Sequence, residues 1–265
     1  MDKPPLALDP NFSAGSEDFP AMLRRKGLMQ IAPENVAAPT NQSFVPTEST
    51  TILAVKFSVC VLVAGDRRAT AAHTIVYDRA DKVLDIDRHS IMAIAGVPAT
   101  AWEMARVLEH SFQLQEMSVD GKVRALSKLL RDNFGLVMQG VGVVVPIFAT
   151  YDGNSKPEAR LYFYDAMGAN FEVTEFAATG SGSPAVRGIL YYENHWGAKK
   201  LHELNEEEAV AIALRALDTA AESDTATGGV DRSGKIFPLI KIVSRDGITT
   251  LSEEKVSQIF MERVG

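Results

Sequence analysis

The order of predicted elements along this chain indicates an α+β fold in which two antiparallel sheets lie between outer layers of helices. Strands come first, two long helices follow, and further strands and helices complete the chain. Residues 50–265 contain all of these elements and suffice for one domain with a sizeable core. Apolar residues make up 46% of the chain, which is typical of a globular protein. The sequence therefore predicts a four-layer αββα sandwich.

Short runs of β-branched and apolar residues predict the first block of strands. The first run begins beside Thr50, stops at Gly65 and has the composition of a buried strand. The predicted strands are Thr51–Ala64, Ala69–Tyr77, Val83–Ile86 and His89–Ala95.

Apolar residues at helical spacing predict two long helices, Thr100–Met117 and Val119–Gln139. Another helix begins at Asn205, which precedes three glutamates and is typical of an N-cap. The predicted strands of this half of the chain are Val141–Tyr151, Arg160–Asp165, Phe171–Ala178, Phe237–Val243 and Gly247–Leu251. Its other predicted helices are Pro184–Tyr192, Asn205–Ser223 and Glu253–Arg263.

Composition and charge argue against several classes of protein. The net charge is −7 and no basic stripe carries interleaved aromatic residues, so nucleic acid binding is not expected. The longest apolar runs, such as Val141–Ala149, are far too short to span a membrane. Cys60 is the only cysteine, so it forms no intramolecular disulfide and is typical of a buried thiol in a reducing compartment.

Thr50 is the first candidate catalytic residue, because it precedes a predicted strand and follows a leader rich in proline, serine and threonine. A threonine hydroxyl is a weak nucleophile without a base beside it. Cleavage of the Ser49–Thr50 bond would free an α-amine that serves as this base. Residues 1–49 are thus interpreted either as a propeptide removed on maturation or as an extended tail that is kept.

Four further motifs are ambiguous when each is considered alone. Asp66 lies in a Gly-Asp pair typical of a solvated turn, and a lone lysine such as Lys82 is usually a surface charge. Residues 180–183 read Gly-Ser-Gly-Ser, which suits a flexible link or a nest of backbone N–H groups. Residues 224–229 read Asp-Thr-Ala-Thr-Gly-Gly and suit an ordinary helix C-cap.

The order and spacing of these motifs are much more specific than any one of them. The segments concerned are Thr50-Thr51-Ile52, Gly65-Asp66-Arg67-Arg68-Ala69-Thr70, Lys82-Val83, Ala93-Ile94-Ala95-Gly96, Met138-Gln139-Gly140, Gly180-Ser181-Gly182-Ser183 and Asp224-Thr225-Ala226-Thr227-Gly228-Gly229. From Thr50 to its C-terminus the chain resembles the β-subunits of the 20S proteasome, in their bacterial, actinobacterial-type form. These proteins are N-terminal-nucleophile hydrolases, and the resemblance implies the αββα fold of that class.

The resemblance implies a role for each catalytic candidate. Thr50 Oγ1 would attack the scissile carbonyl, with its own α-amine as general base. Lys82 would remain cationic beside Thr50, and Asp66 would hold it in place. The hydrogen-bond network that orients the amine would consist of Ser181, Asp224 and Thr227.

The resemblance also implies how a substrate binds. The Gly96 N–H would donate to the oxyanion, and Thr70 and Gly96 would pair with the peptide as an added antiparallel strand. An S1 pocket would be lined by Ala69, Ala80, Ile94 and Pro98. Because none of these residues is charged, a chymotrypsin-like preference for an apolar residue is expected. No metal or cofactor is expected.

Two residues depart from the family pattern. Ser49 replaces the glycine that usually precedes the catalytic threonine, and serine enters the tight turn needed for self-cleavage less readily than glycine. One alternative is therefore an unprocessed, non-catalytic structural β-subunit, and another is an amidase of the same class acting on a small metabolite. Pro98 replaces a small alanine and lacks an N–H for substrate pairing.

The resemblance finally implies a cytoplasmic particle. Identical β-subunits would form a heptameric ring capped by rings of α-subunits, and an ATPase unfoldase would deliver unfolded protein substrates. The outer faces of the two long helices, near Val137 and Met138, would bury against a neighbouring subunit.

Overall fold

The structure is a computed structural model that describes residues 50–71, 74–114, 117–153, 157–231 and 236–265. The predicted propeptide, including Ser49 of the predicted cleavage site, lies outside the described residues. No helix in these ranges is long and apolar enough to cross a membrane.

Two five-stranded antiparallel sheets form the centre of the fold. Sheet I contains, from edge to edge, β10 (Phe176–Gly180), β1 (Thr51–Phe57), β2 (Cys60–Gly65), β11 (Leu239–Ser244) and β12 (Gly247–Thr250). Sheet II contains, also from edge to edge, β5 (Val83–Asp87), β6 (Ser90–Ala93), β7 (Ile147–Asp152), β8 (Glu158–Tyr164) and β9 (Asn170–Val173). A separate hairpin is formed by β3 (Ala69–Ala71) and β4 (Thr74–Tyr77).

Helices cover the outer face of each sheet. Sheet II is covered by α1 (Pro98–Leu114) and α2 (Val119–Asp132), which a short helix α3 (Phe134–Met138) follows. Sheet I is covered by α4 (Ser183–Trp196), α5 (Glu206–Ser223) and α6 (Glu253–Arg263), with a 3-10 turn at Leu201–Glu203. The predicted α+β sandwich, with two antiparallel sheets between helix layers, is therefore confirmed.

The apolar core has three layers, as a four-layer sandwich requires. β1 shows the reason, because its side chains alternate between the two faces of sheet I. Ile52 and Ala54 face sheet II, whereas Leu53 and Val55 face α4 and α5. The strand is buried on both faces, so its sequence is a continuous apolar run instead of an alternating one.

This double burial explains one wrong prediction. The run predicted as a single strand, Thr51–Ala64, is a hairpin in which Phe57 pairs with Cys60. Ser58 adopts a φ of 49°, which residues other than glycine rarely adopt. The turn contains neither glycine nor proline, so the sequence lacks the two strongest turn signals at this point.

Three other predicted elements are also divided. Phe171–Ala178 forms β9 of sheet II and β10 of sheet I, and Ala69–Tyr77 forms β3 and β4. The second long helix ends at Asp132, where the Asn133 side chain donates to Gly142 O over 2.5 Å. The strand predicted from Val141 begins only at Ile147, directly after Pro146.

The predicted N-cap of α5 is confirmed. Asn205 Oδ1 accepts a hydrogen bond from Glu208 N at 2.9 Å, and Glu208 Oε2 accepts one from Asn205 N at 3.0 Å. This reciprocal pair satisfies two backbone donors at the start of the helix. It also fixes where α5 begins, and α5 leads at its other end to the Asp224 segment.

Candidate active site

Thr50 lies at the wall of a cavity of about 420 Å³. It stands directly before β1 and is 6% exposed. Its carbonyl oxygen accepts a hydrogen bond from Ser181 N at 3.2 Å. Lys82 and Gly96 line the same cavity, so the structure brings the predicted nucleophile, the predicted cation and the predicted oxyanion donor to one place.

Asp66 and Lys82 form a buried ion pair beside this cavity. Asp66 follows β2 and Lys82 precedes β5, so adjacent strand ends bring them together. Lys82 Nζ donates to Asp66 Oδ1 over 2.8 Å and to Arg68 O over 2.5 Å. Burial lowers the pKa of the Lys82 ammonium below its usual value, while the Asp66 carboxylate opposes this shift.

The Asp66 carboxylate is satisfied by four donors, although it is only 1% exposed. Oδ1 accepts from Lys82 Nζ and from Thr51 N, the latter over 2.7 Å. Oδ2 accepts from Arg68 N over 3.0 Å and from Gly228 N over 2.9 Å. A buried charge with this set of partners is held in one orientation and keeps Lys82 in place.

Ser181, Asp224 and Thr227 form a second hydrogen-bonded cluster. Asp224 Oδ2 accepts from Ser181 Oγ over 2.6 Å and from Thr227 Oγ1 over 2.5 Å. Burial alone would raise the pKa of the Asp224 carboxyl, but these two hydrogen bonds and one from Ala226 N outweigh it and lower the pKa below its usual value.

The two clusters are joined, so the structure places all six predicted catalytic residues in one region. Gly228 N bonds Asp66 and directly follows Thr227, and Ser181 N bonds Thr50 O. Ser181 is the exposed member of the group, whereas Thr227 is fully buried.

The four residues predicted to form the S1 pocket all line the cavity: Ala69, Ala80, Ile94 and Pro98. Pro98 is the first residue of α1, a position where a missing N–H leaves no helical hydrogen bond unmade. Thr70 is placed differently. It is buried in β3 without lining the cavity, and its hydroxyl has no hydrogen-bond partner among the described residues.

Gly96 has a structural requirement that the sequence did not reveal. Its φ is 111°, and a Cβ there would lie 2.1 Å from Val143 O. Glycine is therefore required by the fold itself, and not only by the approach of a substrate. Within the described residues, the bridge between Gly96 and Val144 is closed by Val97 N and Val145 N and not by the Gly96 N–H.

Several site residues were missed by sequence reasoning. Thr51 joins the two clusters through its amide and its hydroxyl. The other missed residues line the cavity, and they are Tyr77, Arg79, Asp81, Leu84 and Trp102. The sequence could have predicted Trp102 as a cavity residue, because it stands four residues after Pro98 and so lies on the same face of α1. No group of three or more His, Cys, Asp or Glu side chains in the described ranges is arranged to hold a metal ion.

A four-layer αββα sandwich with a threonine directly before an inner strand of one sheet is the architecture of the N-terminal-nucleophile hydrolases. Comparison with known proteins identifies the family within this class. A family model described as "Proteasome subunit" matches residues 47–235. The chain therefore belongs to the proteasome subunit family, and its similarity to bacterial β-subunits places it among them.

Three relatives illustrate this similarity. A proteasome subunit beta 2 of Thermomonospora curvata is 38% identical over 262 residues, which cover 96% of this chain and 90% of that protein. A proteasome subunit beta of Streptosporangium roseum is 40% identical over 234 residues, covering 84% and 78%. One from Streptomyces griseus is 36% identical over 239 residues, covering 87% and 82%.

Proposed function

We propose that this chain is a catalytic β-subunit of a bacterial 20S proteasome and acts as a threonine endopeptidase with Thr50 as its nucleophile. One observation carries the proposal above all others. Thr50 shares its cavity with Lys82, whose ammonium is held by the buried Asp66. A cation beside a threonine hydroxyl and an amine lowers the proton affinity of both, which favours nucleophilic attack.

The proposed reaction passes through an ester. Thr50 Oγ1 attacks the scissile carbonyl and its proton moves to the free α-amine of the same residue. The Gly96 N–H donates to the oxyanion, and collapse of the intermediate expels the leaving amine with the proton from the α-ammonium. Water, activated by the same α-amine, then hydrolyses the ester. Ser181, Asp224 and Thr227 orient the amine throughout.

The cavity supports a chymotrypsin-like preference. Its predicted S1 residues are apolar, and Tyr77, Leu84 and Trp102 add further apolar surface. Arg79 and Asp81 also reach the cavity, but Asp81 accepts a hydrogen bond from Arg67 at 3.1 Å and is already paired. A medium-to-large apolar residue is therefore the proposed substrate side chain before the cleaved bond.

The particle proposed for this subunit is cytoplasmic. Family membership implies assembly with α-subunits in rings, and we propose a heptameric β-ring. An enclosed chamber would admit only unfolded protein, so an ATPase unfoldase is the proposed partner. Such enclosure explains how an apolar, broadly accepting pocket is compatible with a cell full of folded proteins.

The processing step tests the proposal. Autocatalytic cleavage requires Thr50 Oγ1 to attack the carbonyl of Ser49, so Thr50→Ala should keep the full-length chain, and the wild type should lose residues 1–49 after assembly. Intact-mass spectrometry of the assembled particles measures both. Ser49→Gly should accelerate cleavage, because glycine enters the required turn without steric cost.

The same spectra distinguish the second candidate, a structural β-subunit that is kept unprocessed. This candidate is favoured only by Ser49. Assembled wild-type particles that retain the whole chain and hydrolyse no peptide would establish it. Trimming of Thr50→Ala at the same bond in purified particles would show instead that another protease removes the leader.

A further inference from the structure

We infer that Thr51, the residue after the proposed nucleophile, is a positioning residue whose hydroxyl holds the Ser181 turn at the active site. The inference rests on the proposed function of Thr50. It concerns a side chain that does not line the cavity and is fully buried.

Thr51 contacts both clusters of the site. Its amide donates to Asp66 Oδ1 over 2.7 Å. Its hydroxyl accepts from Gly182 N over 2.9 Å and lies 2.6 Å from Thr227 Oγ1. Gly182 and Thr227 are 131 and 176 residues away in sequence, so one side chain links two distant segments to the start of β1.

The direction of each hydrogen bond follows from counting protons. The ionised Asp224 carboxylate only accepts hydrogen bonds, so the Thr227 hydroxyl donates its single proton to Asp224. At the contact between the two threonines, Thr51 must therefore be the donor. Because Thr51 also accepts from Gly182, protons are donated in one direction, from Gly182 through Thr51 and Thr227 to Asp224.

This chain of hydrogen bonds determines how firmly Ser181 is held. On one side the Ser181 amide bonds Thr50 O, and on the other the amide of Gly182 bonds Thr51 Oγ1. Without the Thr51 hydroxyl, the Gly182 amide loses its partner, and Ser181 is held only by its amide bond to Thr50 O and by the bond from its Oγ to Asp224 Oδ2. A displacement of a positioning group by a fraction of an ångström is enough to slow catalysis.

The test uses Thr51→Val, which keeps the β-branched shape that suits β1 and removes only the hydroxyl. In assembled, processed particles we expect kcat to fall about tenfold with KM unchanged, and Thr51→Ser to restore it. The matched control is Thr150→Val, which removes an equally buried hydroxyl bonded to Ser90 Oγ over 2.9 Å in sheet II. This control should keep the wild-type kcat.

A measurement without turnover separates the inference from the proposed function. Hydrogen exchange of the Gly182 amide, followed in the full chain, should be faster in Thr51→Val than in the wild type and unchanged in Thr150→Val. Equal protection of this amide in Thr51→Val, or an unchanged kcat, would overturn the positioning role. An inactive wild-type particle would instead overturn the proposed function, and the exchange data would still decide the role of Thr51.

Discussion

At the residue scale, two adjacent threonines have different surroundings. Thr50 borders the cavity, whereas Thr51 lies behind it with its amide and hydroxyl fully bonded. Successive residues at a strand start point to opposite sides, which accounts for the difference. This geometry supports the two proposals, that Thr50 is the nucleophile and that Thr51 is a positioning residue.

Lys82 provides the residue-scale prediction. In folded, processed particles Lys82→Ala should lower peptidase turnover at least about a hundredfold, because the cation beside Thr50 is lost. Lys82→Arg should fail as well, since a planar guanidinium does not replace a compact ammonium between Asp66 Oδ1 and Arg68 O. Turnover near the wild-type rate in Lys82→Ala would contradict the proposed role.

The pH profile of the wild type provides an internal check. Burial lowers the pKa of the Lys82 ammonium below the ordinary value for lysine, so this group loses its proton at a lower pH than a free lysine does. Activity should therefore fall on the alkaline side before the pH at which a free lysine loses its proton. A rate that stays constant to higher pH would mean that the charge of Lys82 is not needed.

At the element scale, the turn after β10 is shaped around the strand that begins at Thr51. Gly180 pairs with Thr51 and adopts a φ of 98°. A Cβ at this position would lie 1.7 Å from Thr50 O. The turn therefore has room for glycine alone, and its position is coupled to that of the proposed nucleophile.

A pair of glycine variants tests this coupling. Gly180→Ala should lower the free energy of unfolding by more than about 2 kcal/mol, through the clash with Thr50 O and the unfavourable φ. Gly188→Ala is the matched control within α4, where a Cβ meets nothing within 4 Å. It should raise the free energy of unfolding by about 0.5–1 kcal/mol through helix propensity. Urea unfolding of the full chain measures both, and equal stabilities would refute the coupling.

At the scale of the whole molecule, α3 exposes apolar side chains beside the helix layer of sheet II. Leu136 is 44% exposed and Met138 is 57% exposed. Two exposed apolar side chains within one short helix make α3 a candidate for a subunit contact. Met138 is one of the two residues that the sequence predicted at a subunit contact, whereas Val137 is only partly exposed, and the contact itself stays a prediction.

Assembly provides the prediction at this scale. Met138→Asp should reduce the assembled fraction at least about tenfold when the chain is co-expressed with its α-subunit, because a charge would be buried at the contact. Native mass spectrometry measures the fraction. The control is Met261→Asp, which changes a similarly exposed methionine on α6 in the opposite helix layer and should assemble normally. Normal assembly of Met138→Asp would remove α3 from the proposed interface.

The sequence alone predicted the fold class, which the structure confirms, and the main candidate site residues, which the structure brings together. Thr50, Asp66 and Lys82 could be predicted because the motifs that contain them resemble, in order and spacing, those of proteasome β-subunits. The cap at Asn205 was predictable from local spacing, since its partner Glu208 is three residues away.

Only the tertiary structure decided the remainder. The turn at Ser58 and the division of Phe171–Ala178 between two sheets depend on which faces are buried, and a run that is apolar on both faces does not show this. The role of Thr51 depends on contacts with Gly182 and Thr227, which lie in segments far away along the chain. Such contacts arise only when the sheet and α5 are packed together, because no local pattern encodes the meeting of distant segments.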